Sequence, residues 1–402
     1  MAVPVGAPGE DRPAVTILVS IDGFRPDYLE RGVTPRLNAL AAGGISAAMR
    51  PSFPSKTFPN HWTLVTGLRP DRSGIVSNNM RDTAKPDVKF TIDDGKDPFW
   101  WNAAEPLWVT AEKAGLRSGT MFWPGSNVAW GGTMAPDYPH TVTGGVRPED
   151  WWPFDIVVGG EQRVDGVIDW LRRPAASRPR FITLYFDIVD TAGHGFGPSS
   201  PEVTAAVAKV DTLIGHLADR LKDLGQPANL VIVADHGMAA TSATRTIAMD
   251  QIADPADYVI FETGPFASLF AVAGHEAKLE RALLQRHDHL QCWRKADIPS
   301  RMHYGANARI PPYLCLADIG WLTAKTRATH EGDRGSHGYD NAAPEMAALF
   351  IANGPAIKPL GKLPGFDNVD VAPLVRDLLG LPQGRGLDGD DTPFQAALKK
   401  AN

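Results

Sequence analysis

Six residues with metal-binding side chains are spread widely over this chain, each after an apolar run or in a glycine-rich stretch. They are Asp22, Asp190, His194, Asp235, His236 and His337. The three aspartates follow apolar runs at residues 16–21, 181–186 and 230–234. Such runs between helical patterns are typical of buried parallel strands, and ligands bind beyond the carboxyl ends of those strands. Three aspartates and three histidines are enough to hold two divalent metal ions, so the pattern predicts a metal-dependent enzyme.

An aspartate and a histidine are adjacent where the 230–234 run ends. Asp235 and His236 can face one metal ion because the chain leaves strand geometry there, and Gly237 permits a sharp turn. The alternative is a capped turn that carries a surface histidine. We favour the metal site for this segment.

A second pair, Asp190 and His194, lies in a glycine-rich stretch. We predict a turn there, wrapped by Gly193 and the glycines that follow it. The D-x-x-G-H spacing is a weak signal alone, and the preceding strand strengthens it. His337 follows a glycine- and charge-rich loop, where in isolation it would be interpreted as an exposed loop histidine.

A hydroxyl group that could act as a nucleophile precedes a short helical pattern at residues 62–66. Thr57 would lie near the positive end of that helix, and a metal ion beside it would favour its alkoxide form. The alternative is that Thr57 is only a helix N-cap. Two aromatic residues, Phe58 beside it and Tyr185 near the end of the 181–186 run, could flank a planar substrate group by stacking.

The elements that must position these residues follow a βα pattern. It predicts an α/β fold with a mostly parallel central sheet flanked by helices. Thr34 is the predicted N-cap of a first helix. One apolar stripe over residues 201–224 predicts a long helix that leads into the 230–234 strand. A strand at residues 346–351 and a helix at 369–379 complete the core.

The pattern changes after residue 240. We predict a first part of the catalytic core at residues 14–240, an inserted cap subdomain at 241–335 and the last part of the core at 336–390. The chain's two cysteines, Cys292 and Cys315, both lie in the insertion. They predict either one disulfide or two buried thiols, and the sequence does not decide between them.

Composition argues against a nucleic-acid duplex as a partner and against a segment that spans a membrane. The 402 residues carry a formal net charge of −6, which gives no basic footprint for a nucleic-acid duplex. No apolar run is long enough to span a membrane. The first ten residues have no signal-peptide core, which fits a cytosolic start or a mature terminus with an added Met.

Longer motifs resemble one known family. They are Ile21–Arg25 (IDGFR), Phe53–His61 (FPSKTFPNH), Leu64–Pro70 (LVTGLRP) and Gly74–Asn78 (GIVSN). The chain resembles the nucleotide pyrophosphatase/phosphodiesterase family of the alkaline phosphatase superfamily over about residues 14–381. The segment His289–Lys295 is similar to the bacterial branch of that family. One departure is Ile188–Val189, where many relatives have Glu-Pro.

The resemblance implies a role for each candidate residue. Asp190, His194 and His337 would hold one Zn²⁺ ion, and Asp22, Asp235 and His236 would hold a second, with Thr57 as the nucleophile on that metal. Asn78 matches the family asparagine that donates to a phosphate oxygen, and Phe58 and Tyr185 match aromatics that sandwich a nucleobase. The expected reaction is hydrolysis of nucleotide phosphodiester and pyrophosphate bonds through a nucleotidyl-threonine intermediate, which releases a nucleoside 5′-monophosphate.

Other functions on the same core stay open. One is a phosphomonoester or phosphonate hydrolase, although no clear arginine clamp is present. Another is a phospholipid-headgroup phosphodiesterase, since the cap would set the preference for the substrate. A protein that only binds metal or nucleotides is a third. Similarity to exported relatives and a potential disulfide predict a periplasmic or secreted location, and the sequence predicts no oligomeric state.

Overall fold

The longest apolar runs form the centre of one large mixed β-sheet in a computed structural model, which describes residues 12–92, 95–135, 138–326 and 334–399. The principal strands are β1 Val15–Ile21, β2 Ile45–Arg50, β3 Ser118–Met121, β4 Asp150–Trp152, β5 Phe181–Phe186, β6 Ala228–Val233, β7 Tyr258–Glu262, β8 Phe266–Ala271, β9 Leu290–Arg294, β10 Tyr313–Ala317 and β11 Ala348–Asn353. The α-helices are α1 Pro35–Ala42, α2 Thr57–Thr66, α3 Pro70–Ser73, α4 Leu107–Lys113, α5 Gly160–Leu171, α6 Ile188–Phe196, α7 Pro201–Asp223, α8 Glu276–Leu283 and α9 Val371–Leu379.

Shorter strands pair outside these elements. The antiparallel pairs are Met80–Asp82 with Lys85–Phe90, Thr133–Ala135 with Tyr138–Thr143 and Ala239–Ala240 with Gly335–Ser336. The pair Thr246–Ala248 with Leu322–Ala324 is parallel, and Gly361–Lys362 and Phe366–Asp367 extend the large sheet beside β2.

β1 is the central strand of the large sheet and pairs in parallel with β5 and β6. All of its residues are buried, as are those of β5, because helices cover both faces of the parallel part of the sheet. β11 runs antiparallel between β6 and β2. The predicted α/β fold with a mostly parallel central sheet is confirmed, with β11 as an antiparallel strand inside it.

The predicted long helix is present as α7. Its apolar stripe is buried, and the Ser200 hydroxyl caps it by accepting from the Val203 N–H over 3.1 Å. Thr34 lies at the predicted N-cap position of α1, but its hydroxyl makes no capping hydrogen bond and donates to the Leu29 carbonyl instead. Asp211 of α7 accepts from the first N–H groups of α1, including that of Leu37 at 2.7 Å.

Residues 188–196 form helix α6, so the predicted turn around Asp190 and His194 is wrong. The glycines are compatible with the helix for specific reasons. A Cβ atom on Gly193 would lie 2.8 Å from the Met238 side chain, so this glycine permits close packing. Gly197 ends the helix with a φ of +88°, a conformation that glycine adopts readily. The helix places Asp190 and His194 four residues apart on one face.

The inserted segment has a sheet of its own, with β8 and β10 at its centre and β7 and β9 at its edges. Its separate apolar core includes Leu279, Leu283 and the disulfide between Cys292 and Cys315. Of the two states that the sequence left open for the cysteines, the structure therefore has the disulfide. The limits at residues 241 and 335 stay a prediction.

Asp71 and Arg309 make hydrogen bonds between the insertion and the rest of the chain. Asp71 of α3 accepts from three consecutive backbone N–H groups at residues 305–307, at 2.9 to 3.1 Å. Arg309 donates to the backbone carbonyls of Gly74, Phe99 and Trp100. Over the described ranges, no helix combines the length and the apolar character needed to cross a bilayer.

Candidate active site

All six predicted ligands converge at one edge of the central sheet. Asp22 directly follows β1, and Asp235 and His236 follow β6. Asp190 and His194 project from α6, and His337 follows the short strand Gly335–Ser336. The strand ends account for three of the six positions, whereas helix α6 and the later loop supply the others.

Asp190, His194 and His337 form one group. The His194 Nε2 atom lies 3.5 Å from a carboxylate oxygen of Asp190, and the His337 Nε2 atom lies 3.6 Å from the other oxygen. The two Nε2 atoms are 3.2 Å apart. This is the set that the family resemblance assigned to one metal ion.

Asp22, Asp235, His236 and Thr57 form the second group. The His236 Nε2 atom lies 2.9 Å from Asp235 and 3.5 Å from Asp22. The Thr57 hydroxyl oxygen lies 3.3 Å from the same nitrogen. The two groups are in contact, because the rings of His236 and His337 stack with centroids 3.5 Å apart.

The three histidines are oriented in the same way. Each Nδ1 atom meets a backbone carbonyl, that of Gly335 for His194, of Gly237 for His236 and of Ser55 for His337. If each Nδ1 carries the proton, each Nε2 presents a lone pair to the carboxylates. Lone pairs that face one another at 3.2 Å repel, and a cation between them would remove the repulsion. Metal-binding histidines are typically held by such contacts.

The carboxylates also suit a cation. One oxygen each of Asp22, Asp190 and Asp235 is buried without a hydrogen bond. The pKa of Asp22 is raised well above its ordinary value, first by burial and then by Asp235 and Asp190. Burial also acts to raise the pKa of Asp235, but the nearby His236 and His61 lower the pKa of that carboxyl to about 2. Three carboxylates and three imidazoles therefore fit divalent metal ions.

His61 is fully buried close to this cluster, and its place in the helical stretch predicts a packed or hydrogen-bonded residue rather than a metal ligand. Its Nδ1 atom lies 2.8 Å from the Thr57 carbonyl and 3.4 Å from Asp235, and its Nε2 atom lies 2.8 Å from the Ser20 hydroxyl. Distance alone would group His61 with Asp22 and Asp235 as a ligand set. Since both ring nitrogens already have partners, we assign His61 to orienting Asp235 and Thr57 instead.

Thr57 is the first residue of α2, and the N-cap position belongs to Lys56, whose side chain makes no capping hydrogen bond. The alternative that Thr57 is an N-cap is therefore wrong. Thr57 lies at the positive end of a helix of ten residues, where a negative charge is stabilised. Its hydroxyl opens into a cavity of about 440 Å³ that Asn78 and the Asp190 group also line.

The two predicted stacking residues both line this cavity but are largely buried. Phe58 packs against Phe90, Trp101 and Phe154. The Tyr185 hydroxyl donates to Asp22 over 2.7 Å, so this residue also supports a predicted metal ligand. Stacking of a substrate between Phe58 and Tyr185 stays a prediction.

A model of the type I phosphodiesterase / nucleotide pyrophosphatase family matches residues 16–340. The chain belongs to this family. An uncharacterized pyrophosphatase/phosphodiesterase of Schizosaccharomyces pombe is 36% identical over 92% of the chain and 77% of its own length. The bis(5′-adenosyl)-triphosphatase enpp4 of Xenopus laevis is also 36% identical, over 91% of the chain and 77% of its own length. The rat ectonucleotide pyrophosphatase/phosphodiesterase family member 1 is longer, and the chain spans 42% of it.

Solved structures of this family have the same fold. Human ectonucleotide pyrophosphatase/phosphodiesterase 5 aligns over 96% of the chain with a TM-score of 0.87 and 32% identity. An inactive threonine-to-alanine variant of the murine protein, in complex with AMP, aligns with a TM-score of 0.88 and 32% identity. The predictions of an alkaline phosphatase-like fold and of a pyrophosphatase/phosphodiesterase enzyme are confirmed. The relatives named here are eukaryotic, so similarity to the bacterial branch stays a prediction.

The cavity wall also includes residues that no sequence motif indicated. The Phe154 ring contacts both Phe58 and Tyr185, with centroids 5.1 and 5.2 Å away. Asp155 and Ile156 follow it along the rim. The described part of the insertion contributes no side chain to the cavity lining.

Proposed function

We propose that this protein hydrolyses nucleotide phosphodiester and pyrophosphate bonds with two Zn²⁺ ions and Thr57 as the nucleophile. The observation that carries the proposal is the position of the Thr57 hydroxyl, 3.3 Å from Nε2 of His236, beside two ligand groups and at the start of α2. Asp190, His194 and His337 would hold one ion, and Asp22, Asp235 and His236 the other. Zinc suits mixed carboxylate and imidazole ligation.

The roles proposed for these residues imply the following order of events. When bound, the ions would neutralise phosphate oxygens and favour the deprotonated Thr57 hydroxyl. The Thr57 oxygen attacks phosphorus and forms a bond to it as the bond to the leaving group breaks, and the hydroxyl proton passes to water. The side-chain amide of Asn78 donates to a non-bridging oxygen. A water molecule then attacks phosphorus as the bond to the Thr57 oxygen breaks, a proton from water returns to that oxygen, and the nucleoside 5′-monophosphate is released.

Two features support a diester substrate. The relatives are named pyrophosphatases, phosphodiesterases or a bis(5′-adenosyl)-triphosphatase, and one neighbouring structure contains AMP. Among the described residues that line the cavity there is no arginine that could clamp a phosphate monoester. Arg25, three residues after Asp22 in the sequence, pairs with Asp27 and donates to the Met238 carbonyl.

A substrate panel tests the proposal. The protein, with its zinc content measured, should cleave the nitrophenyl ester of thymidine 5′-monophosphate faster than nitrophenyl phosphate or nitrophenyl phosphocholine. Faster cleavage of the monoester would identify a phosphomonoesterase, and faster cleavage of the choline ester would identify a headgroup phosphodiesterase.

A variant pair tests the nucleophile. Thr57→Ala should retain zinc and lose turnover, with Thr66→Ala as the control. Thr66 lies at the other end of α2, where its hydroxyl donates to the Trp62 carbonyl. Diester cleavage that persists in Thr57→Ala would show that another group attacks phosphorus.

We also propose that the protein is exported to the periplasm or secreted. The Cys292–Cys315 disulfide supports this location, because disulfides persist mainly in oxidising compartments. Fractionation of the producing cells, with free thiols blocked at lysis, tests it. A cytoplasmic protein with both thiols reduced would contradict it.

A further inference from the structure

Glu262, the last residue of β7, contacts the neighbours of two predicted active-site residues. One carboxylate oxygen lies 3.3 Å from the Lys56 ammonium, and the other accepts from the Ser77 hydroxyl over 2.7 Å. Lys56 directly precedes Thr57, and Ser77 directly precedes Asn78. One carboxylate from the insertion thus contacts both segments that carry the proposed nucleophile and the proposed phosphate donor.

A third contact joins the segment that carries Thr57 directly to the segment that carries Asn78, so these two segments and Glu262 form a closed ring of contacts. The Phe58 backbone N–H, one residue beyond Thr57, donates to Oδ1 of Asn78 over 2.9 Å. The two segments are therefore joined directly by this hydrogen bond and again through Glu262. A displacement of either segment would change the distance between the Thr57 hydroxyl and the Asn78 amide.

The local backbone directs Glu262 toward the site. The pairing of β7 with β8 shifts register between Ile260 and Glu262, and such bulges re-aim the side chain that follows. The side chains of Glu262 and Lys56 are 8% and 14% exposed. A cation at a helix N-terminus is unfavourable, so the buried Lys56 needs a nearby carboxylate.

We infer that Glu262 is a positioning residue for the reaction, which holds Thr57 and Asn78 in register from the insertion. This inference rests on the proposed function. Asp71 and Arg309 make separate hydrogen bonds across the same interface, so contacts other than those of Glu262 also dock the insertion. A role in docking alone and a role in positioning therefore predict different behaviour for variants of Glu262 and Asp71.

Kinetics with the zinc-loaded enzyme separate the two roles. Glu262→Ala should lower kcat by about 10- to 100-fold with KM changed by less than about 3-fold, because small misplacement of reacting groups costs rate. Glu262→Gln, which can still accept from Ser77, should lose less. The matched control Asp71→Ala should lower the unfolding temperature and keep kcat within about 2-fold. Wild-type kcat in folded Glu262→Ala, or an equal loss in Asp71→Ala, would overturn the inference.

A double variant tests whether Lys56 and Glu262 act as one unit. Lys56→Gln combined with Glu262→Gln should lower kcat no further than Glu262→Gln alone, since both changes break the same ion pair. Multiplying losses would show independent roles and would contradict the ring of contacts.

Hydrogen exchange gives a readout that does not depend on substrate. The Phe58 amide should exchange faster in Glu262→Ala than in wild type, and at the wild-type rate in Asp71→Ala. If nucleotide diesters are not cleaved, the proposed function fails while this measurement still tests Glu262. Unchanged exchange at Phe58 in Glu262→Ala would overturn the positioning role by itself.

Discussion

The backbone N–H of Phe58 donates to Oδ1 of Asn78 over 2.9 Å. This contact identifies the oxygen of the Asn78 amide and leaves its NH₂ group for the cavity that Thr57 also lines. Since the amide is fixed before substrate arrives, it can donate to a phosphate oxygen without reorientation. Preorganised donors of this type contribute strongly to catalysis.

Replacement of Asn78 should therefore reduce the rate of diester cleavage without loss of zinc. Asn78→Ala is expected to lower kcat by about 10²- to 10³-fold, the usual cost of one such donor. Asn78→Asp, which retains an acceptor for Phe58 but brings a negative charge to the phosphate, should lose at least as much. Asn79→Ala serves as the control, because Asn79 is not among the residues that line the cavity. Full activity in Asn78→Ala would exclude the donor role.

Tyr185 should support metal binding through its hydroxyl. Tyr185→Phe keeps the ring for stacking but removes the 2.7 Å hydrogen bond to Asp22. Loss of a contact that holds a metal ligand typically weakens metal affinity by about 10- to 100-fold. Competition with a chelator measures this affinity, and Tyr304→Phe is the control, since its buried hydroxyl donates to the Val76 carbonyl. Unchanged zinc affinity in Tyr185→Phe would leave stacking as the only predicted role.

The sequence predicted well which residues converge at the site where they directly follow a strand. Asp22, Asp235 and His236 follow apolar runs, and the composition of such runs predicts buried strands. Asp190 and His194 were identified with the wrong local structure, because glycines usually lower helix propensity. Within helix α6, Gly193 lies close to the Met238 side chain, a contact between residues that are distant in sequence.

Contacts between distant segments account for what the sequence missed. The partners of His61 are Ser20 and Asp235, and those of Glu262 are Lys56 and Ser77. These partners are distant in sequence, so no local pattern predicts the contacts. Likewise, the Leu37 N–H at the start of α1 donates to Asp211, which is distant in sequence, and not to the Thr34 side chain. Local patterns predict elements and their ends, whereas the partners of each polar side chain depend on the assembled fold.

Removal of the disulfide should reduce stability and leave turnover intact. Cys292 and Cys315 face each other in adjacent strands of the insertion, 23 residues apart in sequence. A cross-link of this span typically contributes about 3 kcal/mol to the free energy of unfolding. Cys292→Ala/Cys315→Ala should show this loss in denaturant, and wild type with reductant should match it. The kcat should stay at the wild-type value, because neither residue lines the cavity; a large fall in kcat would show that the insertion's core influences the site.

The charge of Asp370, which precedes α9, should lower the free energy of unfolding in a pH-dependent way. Burial, followed by the nearby Asp367 and Asp390 carboxylates, raises the pKa of Asp370 to about 6, although it accepts from the Asp390 N–H. Because the folded pKa exceeds that of the unfolded chain, the charged form destabilises the fold. This penalty is absent below about pH 4, grows as the pH rises and is complete above about pH 6.

Asp370→Asn should therefore stabilise the protein at neutral pH. The pKa difference corresponds to roughly 3 kcal/mol for a group hidden from solvent, and partial exposure reduces the expected gain to about 1 kcal/mol. The asparagine oxygen can still accept from the Asp390 N–H. Denaturant unfolding from pH 4 to pH 8 should show the two proteins converging at the acidic end and separating above pH 6. A gain that does not vary with pH would mean that packing, and not the carboxylate charge, is responsible.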